Sequence, residues 1–370
     1  MNIGILSMQK IKNNGSFLQA YALKHICESY GHKVIWVDFK RNPIQKVNDQ
    51  PDSIRKISYS DKLVKATRYA FFRTFRKKIK AGKMAMKFWN TYEEWYKDLG
   101  EDGGEKTKNF DRLIIGSDEV FNALQYVDDF KIKMEIPWEL FGEGYEDKRI
   151  ISYAASAGQT NYDKLINKDL GHTVKKLLNN FEKLSVRDKN TQEMLQKFGF
   201  NSQINIDPVL LYDFHDVELQ QPKEHDYILV YAYDMRISKE EGKEIRAFAK
   251  KHNKKIVCVN FFQDFADIYK LVHPLQVLAY FKYADYVVTD TFHGAIMSMK
   301  YHKQFGIFVR NSNYNKLSYL LGMFGLTDRM VTSKDKLGDV LLKNADYNTF
   351  IQVLQAEQKK GYDYLEEFLL

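Results

Sequence analysis

Short apolar runs alternate with segments of helical spacing along most of this 370-residue chain, and that alternation narrows the fold more than any other feature. "NIGILS" precedes "SFLQAYALKHICESYG", where Phe17, Leu18, Tyr21, Ala22 and Ile26 share one helical face and Gly31 offers a stop. "KVIWVDF", "FDRLIIGSD", "RIISYAAS", "KLSVRD" and "QINIDP" read as further strands, with helical segments near 161–181 and 189–199. A second series follows: "YILVYAYD", "KKIVCVN", "DYVVTD" and "QFGIFV", separated by helical patterns and followed by helices near 315–324 and 348–370. Strands separated by helix-length segments pair in parallel through right-handed crossovers. The polar, patternless stretch 213–226 divides the two series. The expectation is an α/β chain of two Rossmann-like domains: 1–212, a linker at 213–226, and 227–345. A C-terminal helix over 346–370 is expected to pack back on the first domain.

One block breaks the rhythm. Residues 41–104 are long, basic, aromatic and mostly helical in pattern, and read as an insertion. The formal charge is +8, yet Lys62–Lys87 alone holds ten Lys/Arg and no acid. Tyr69, Phe71, Phe72, Phe75, Phe88 and Trp89 are interleaved with these cations. Such a mixture over 62–89 suits either an anionic membrane surface or a solvated insertion whose aromatics pack on the first domain. No nucleic-acid module accompanies the charge, and nucleic acid is not expected as a partner.

Two cysteines, Cys27 and Cys258, lie far apart, which argues against a disulfide framework and for a reducing cytoplasm. The start "MNIGILSMQK" reads as a strand and not as a signal peptide. No segment approaches the roughly 20 apolar residues that span a bilayer.

In open parallel sheets, ligands bind beyond the carboxyl ends of the strands. Small, polar and ionisable residues recur there: Asn14, Gly15 and Ser16; Ser117, Asp118 and Asn122; Ser156 and Gly158; Arg187 and Asp188; Asp207. The second series adds Asp234, Asn260, Asp290, Thr291, His293 and Arg310. Each has a plainer alternative. Asn14-Gly15-Ser16 can be a turn with a helix cap, Ser117-Asp118 a cap, Arg187-Asp188 an ion pair, Asp207-Pro208 a turn and Arg310 a solvated strand end. No G-x-G-x-x-G, Walker or G-x-S-x-G sequence occurs, and no metal-ligand spacing, so no metal is expected.

His293 stands apart. It follows a strand and opens a helical pattern, with Gly294 next to let backbone approach a ligand. A helix N-terminus offers N–H groups to phosphate or carboxylate, and its field disfavours an imidazolium, leaving a neutral ring able to take a proton.

Together, "GIL", "NNGSFLQAYAL", "LIIGSDEVFN", "SYAASAG", "LSVRD", "DPVLL", "TDTFHGAIMS" and "GLTDR" resemble the polysaccharide pyruvyl transferases, in family order over roughly residues 3–330. The resemblance implies two Rossmann-like domains facing a cleft, GT-B-like, with the acceptor on the first and the donor on the second. It implies phosphoenolpyruvate as co-substrate with no cofactor, and a sugar acceptor, commonly lipid-linked, that receives a pyruvate ketal in surface polysaccharide biosynthesis. His293 and Asp118 are then the catalytic candidates, with Asp118 as a carboxylic acid. Arg187, Arg310, Thr291 and Gly294 are the donor-binding candidates, and Asn14, Gly15, Ser117 and Asn122 the acceptor-binding ones. Some members carry an Arg where Thr291 stands, so Arg310 is the expected substitute for that charge. The expected location is cytoplasmic, at the inner face of the plasma membrane if 62–89 binds lipid. Two rivals remain: a nucleotide-sugar glycosyltransferase on the same architecture, and a non-catalytic saccharide- or membrane-docking protein.

Overall fold

Burial on both faces explains why the strands read as unbroken apolar runs and not as alternating ones. "RLII", "YILVY" and "KIVCV" are buried along nearly their whole length. The computed structural model describes residues 1–39, 68–100, 102–105, 107–126, 135–234, 236–332 and 336–370, with backbone alone for 68–81, 102–103 and 105.

The first half runs β1 (Asn2–Leu6), α1 (Asn14–Ser29), β2 (Lys33–Asp38), α2 (Arg68–Trp95), β3 (Asp102–Glu105), β4 (Arg112–Ile115) and β5 (Arg149–Ser152). It continues through α3 (Tyr162–Asn167), α4 (Gly171–Leu178), β6 (Ser185–Val186), α5 (Lys189–Phe198), β7 (Gln203–Ile204) and α6 (Pro208–Leu211). The second half runs β8 (Tyr227–Tyr231), α7 (Lys239–Lys251), β9 (Lys255–Val259), β10 (Ile268–Lys270), α8 (Pro274–Tyr283), β11 (Tyr286–Thr289) and α9 (Phe292–Lys300). Then come β12 (Gln304–Phe308), α10 (Tyr314–Met323), β13 (Met330–Val331), α11 (Leu337–Leu342) and α12 (Tyr347–Leu369).

These strands form two sheets, all parallel, in the orders β3-β2-β1-β4-β5 and β10-β9-β8-β11-β12-β13. The pair β6-β7 extends the first sheet through bridges from Ile151 to Lys183 and from Ala155 to Val186. In each sheet the chain order reverses once, between β1 and β4 and between β8 and β11. Such reversals open a crevice at the strand ends, and here the two crevices face each other across one cleft.

Helix α1 lies between the lobes. Twelve of its residues are buried, because it packs on α6 of its own half and on α8 of the other. The central core is therefore continuous, running from Phe17 and Leu18 to Phe281, Phe292 and Ile296, while separate clusters fill the outer face of each sheet. Buried amides brace the same seam. Asn260, at a φ of +61°, donates to Asn14 Oδ1 at 2.9 Å and Val272 O at 2.9 Å, and accepts from Val272 N at 2.8 Å. Asn14 in turn donates to Tyr231 Oη at 3.1 Å.

Helix α12 straps the lobes together. Phe350 stacks near Phe324 of the second lobe, while Gln358 donates to Leu210 O at 2.9 Å and Tyr364 to Ser152 O at 3.0 Å in the first. Gly361 sits where a Cβ would lie 2.7 Å from Tyr153 Oη, so only glycine permits this crossing.

Three short elements escape the sequence reading. The end of the 41–104 block supplies the edge strand β3, so the block is not helical throughout. β10 and β13 are edge strands of three and two residues, too short for a periodic signal. Residues 41–67 and 101 of the block lie outside the described residues.

Replacing Asn260 with Ala strands Asn14 and both backbone groups of Val272 in a dry seam and leaves a β-carbon residue at positive φ. Unfolding in denaturant is expected to show a loss of about 2–4 kcal/mol.

Candidate active site

A cleft of about 380 Å³ opens between the two crevices. Its floor is an ion cluster built from three strand ends. After β4 the backbone turns sharply, with Asp118 at a φ of +80°, a conformation that costs energy for a residue with a β-carbon. The turn aims both carboxylate oxygens inward. Oδ2 accepts from Ser16 Oγ at 2.6 Å, at the start of α1, and Oδ1 accepts from Arg187 Nη2 at 3.1 Å. Arg187 follows β6, and its Nη1 donates to Asp207 Oδ2 at 2.9 Å. Asp207 follows β7 and caps α6 by accepting from Val209 N at 3.0 Å, with Pro208 at the first helical position. Ser117 Oγ donates to Ala154 O at 3.1 Å and lies 3.3 Å from Asp207.

The second lobe closes over this cluster with α9. Thr291 caps that helix, its Oγ1 accepting from Gly294 N at 2.9 Å. The cap turns Phe292 and His293 toward the first lobe. The Phe292 ring covers the Arg187 guanidinium at 4.4 Å, and His293 Nε2 comes within 3.6 Å of Asp207 Oδ2. On its other edge the imidazole lies against the backbone of Gly15, where a Cβ would sit 2.1 Å from Nδ1. Glycine at 15 is therefore what admits the histidine. Beside it, Lys316 of α10 pairs across the cleft with Glu119 at 2.6 Å, and Arg236 pairs with the buried Asp290 at 2.9 Å.

The cluster fixes its own charges. Burial pushes Asp118 up, but Arg187, His293, the Ser16 hydroxyl and Lys316 outweigh it and hold the carboxyl down at about 2. Burial also opposes ionisation of Asp207, yet His293, Arg187 and the Val209 N–H bring it below the ordinary range. Burial works against the Arg187 charge, and the carboxylates of Asp118 and Asp207 more than restore it. Glu119 is likewise lowered, with Lys316 overcoming desolvation.

Of the expected residues, His293, Asp118, Arg187, Thr291 and Asn122 line the cleft. Asn122 donates to Glu119 at 2.7 Å and accepts from Thr160 at 2.7 Å. Five expectations need correction. Arg310 is clamped by both oxygens of Glu241, at 2.6 and 2.9 Å, and by Asp290 at 3.4 Å, so it braces the second lobe away from the cleft lining. The N–H of Gly294 is taken by Thr291; its lack of a Cβ matters instead, since one would fall 2.1 Å from Thr289 Oγ1. Asn14 is fully buried and spent on Asn260 and Tyr231, and Ser117 lies under the floor, so neither meets a ligand directly. Asp118 is held ionised, the opposite of what a carboxylic acid donor requires.

Sequence reasoning missed Glu119, Tyr233, Arg236 and Lys316 as cleft residues. Arg236 lies five residues past β8, beyond the strand end, and Lys316 sits inside a helix, where strand-end logic does not look. Asp207, read as a turn, is both turn and anchor. Among the described residues, no group of three or more His, Cys, Asp or Glu side chains is placed to hold a metal ion.

The family model described as polysaccharide pyruvyl transferase matches residues 13–313 of this chain. Similar solved structures include the glycotransferase of kitacinnamycin, at 11% identity and a TM-score of 0.47 over 99% of this chain and 98% of that one. Arabidopsis thaliana UGT89C1 complexed with UDP-L-rhamnose gives 11% identity and a TM-score of 0.49 over 100% and 98%. The UDP-GlcNAc 2-epimerase from Neisseria meningitidis gives 9% and 0.46 over 98% and 94%. The curated proteins contain no match to it.

Two outcomes test this geometry. Gly15→Ala forces the His293 ring to move, and a displacement near 1 Å is expected to cost about 10²-fold in turnover, with overpacking of this buried seam costing about 1–3 kcal/mol in denaturant unfolding. The second is acid stability. The carboxyl of Asp118 is lower in the folded protein than its ordinary 3.8, so its contribution is complete above about pH 4 and disappears as pH falls toward 2. Asp118→Asn is expected to flatten that part of the unfolding profile.

Proposed function

The chain belongs to the polysaccharide pyruvyl transferase family, and we propose that it moves pyruvate from phosphoenolpyruvate to a sugar of a lipid-linked saccharide, forming a ketal. The observation that carries this reading is the placement of His293 beside an ionised, buried Asp207 that also holds Arg187, at the floor of a cleft shared by both lobes.

The donor is a small anion with a phosphate and a carboxylate, and it calls for cations and helix N–H groups. Arg187 supplies a guanidinium fixed in place by two carboxylates. Arg236 and Lys316 supply the charge once expected from Arg310, and the first turn of α9 supplies N–H groups at Phe292 and His293. Lys316 exchanges Glu119 for a donor oxygen at little cost, because both are ionic partners of the same ammonium.

Ketal formation adds two sugar hydroxyls to one carbon and expels phosphate. The first hydroxyl attacks the carbon that bears the phosphate while the neighbouring enol carbon gains a proton. The second hydroxyl then replaces phosphate at the same carbon, and its proton leaves with the phosphate. His293 takes the proton of the attacking hydroxyl, and the carboxylate of Asp207 beside Nε2 stabilises the imidazolium that forms. That imidazolium is the acid at hand for the enol carbon, since Asp118 stays ionised. Asp118 holds Arg187 and orders Ser16 at the start of α1.

The test begins with donor binding. A rise in unfolding temperature with phosphoenolpyruvate, and none with a uridine or guanosine diphosphate sugar, is expected. Phosphate release with a panel of lipid-linked saccharides, and a pyruvyl adduct by mass spectrometry, then identify the acceptor. His293→Ala is expected to keep the donor-induced shift and lose about 10²–10⁴-fold in phosphate release. Stabilisation by a nucleotide sugar alone would reassign the protein to glycosyl transfer.

A further inference from the structure

Helix α2 does not line the cleft. It runs 28 residues, about 42 Å. Its sequence carries eight Lys/Arg and no acid before Glu93. Its C-terminal end is tied down. There Phe88 and Tyr92 are buried, with Phe88 meeting Phe261 of the second lobe at 5.8 Å and Tyr92 Oη donating to Asn13 O at 2.9 Å. The opposite side faces solvent, with Met86 66% and Trp89 59% exposed and Lys83 and Lys87 exposed among them. Met86 and Trp89 lie one helical turn apart, so their exposed side chains form one apolar patch, the kind of surface that marks an interaction site.

The sequence continues that apolar side toward the N-terminus. Phe72, Phe75, Ile79, Met86 and Trp89 are spaced by three, four, seven and three residues, the interval of one helical face. An apolar stripe within a run of cations is the composition of a helix that lies in a membrane interface. It does not span: among the described residues no helix is long and apolar enough to cross a bilayer. Self-association through this face sets cations against cations and is disfavoured.

The patch also sits at the rim of the cleft. Lys12 donates to Trp89 O at 3.2 Å, pairs with Glu93 at 2.6 Å and lies over the Trp89 ring at 5.7 Å. Its neighbours Ile11 and Asn13 line the cleft itself.

We propose that α2 docks the protein on an anionic lipid surface through its Met86–Trp89 face and flanking lysines, turning the cleft mouth toward that surface. The use of this contact, delivery of a lipid-linked acceptor, rests on the function proposed above; the contact itself does not.

Sedimentation of the full chain with vesicles tests it, using phosphatidylcholine alone or mixed with phosphatidylglycerol, at low and high salt. Binding is expected only with phosphatidylglycerol, weakening as salt rises, with a blue shift of tryptophan emission. Each cation at the surface contributes about fivefold, so Lys83→Glu with Lys87→Glu is expected to weaken binding about 25-fold or more. Met86→Ser with Trp89→Ser is expected to abolish the blue shift and the salt-resistant fraction. All four positions are exposed, and an unchanged unfolding midpoint certifies each variant. Absent or equal binding to both vesicles, or indifference to charge reversal, would overturn the proposal. So would a dimer dispersed by the Met86/Trp89 changes, or binding to nucleic acid in place of vesicles. The donor-induced thermal shift, measured in parallel, separates the two readings: its loss with vesicle binding intact strikes only the transferase assignment.

Discussion

A guanidinium buried between two carboxylates governs the centre of this molecule. Arg187 is almost wholly removed from water, and so is Asp207. Taking such charges out of solvent costs several kcal/mol per ion unless every lone pair and proton is met. Asp118 and Asp207 take its two Nη groups and the face of Phe292 covers the guanidinium, while Nε has no protein partner; the three contacts come from different places in the chain. The cluster therefore locks the ends of β4, β6 and β7 to one another and to α9 of the second lobe. Asp207 serves two of these links at once, holding Arg187 and standing beside His293. Removing it would free the imidazole and uncover the guanidinium together, so its two contacts cannot be separated by simple deletion.

The seam between the lobes is a packed core and not a loose hinge. Helix α1 belongs to the first sheet by sequence and to both lobes by contact. Its first turn carries Asn14 and Ser16, one spent on the second lobe and the other on Asp118. Gly15 lies between them and leaves room for the imidazole. Three consecutive residues thus hold the lobes together, orient the carboxylate and seat the histidine. The strap of α12 and the Lys316–Glu119 pair work at either side of this seam. Of these, the Lys316–Glu119 pair lines the cleft.

Charge is distributed with the same economy. In the cleft Arg187, Arg236 and Lys316 each have a carboxylate partner, which offsets their charge. On α2 the cations have no acids between them until Glu93, and they are interleaved with Phe, Met and Trp. The two regions meet at Lys12, whose neighbours line the cleft and whose ammonium rests on Trp89.

Much of this was legible in the residues. The runs "RLII", "YILVY" and "VVT" announce strands buried on both faces. Polar residues just past them announce the crevice, because strand direction alone decides where a parallel sheet binds its ligands. His293, Arg187 and Asp118 came from that rule and from the family motifs. What strand periodicity cannot carry is the direction in which a side chain is spent. Arg310 and Arg236 both lie past strand ends, yet Glu241 claims the first and the second reaches the cleft. Asn14 and Asn122 look alike in sequence, and only one is free of the seam. Lys316, inside a helix, gives no local sign at all. The chain by itself determined its longer strands, their parallel pairing and the strand ends that border the cleft, since these follow from local pattern and handedness. Tertiary structure alone decided which charges pair and which remain for a ligand, because that choice depends on distances between residues far apart in the chain and on how much water each pair loses.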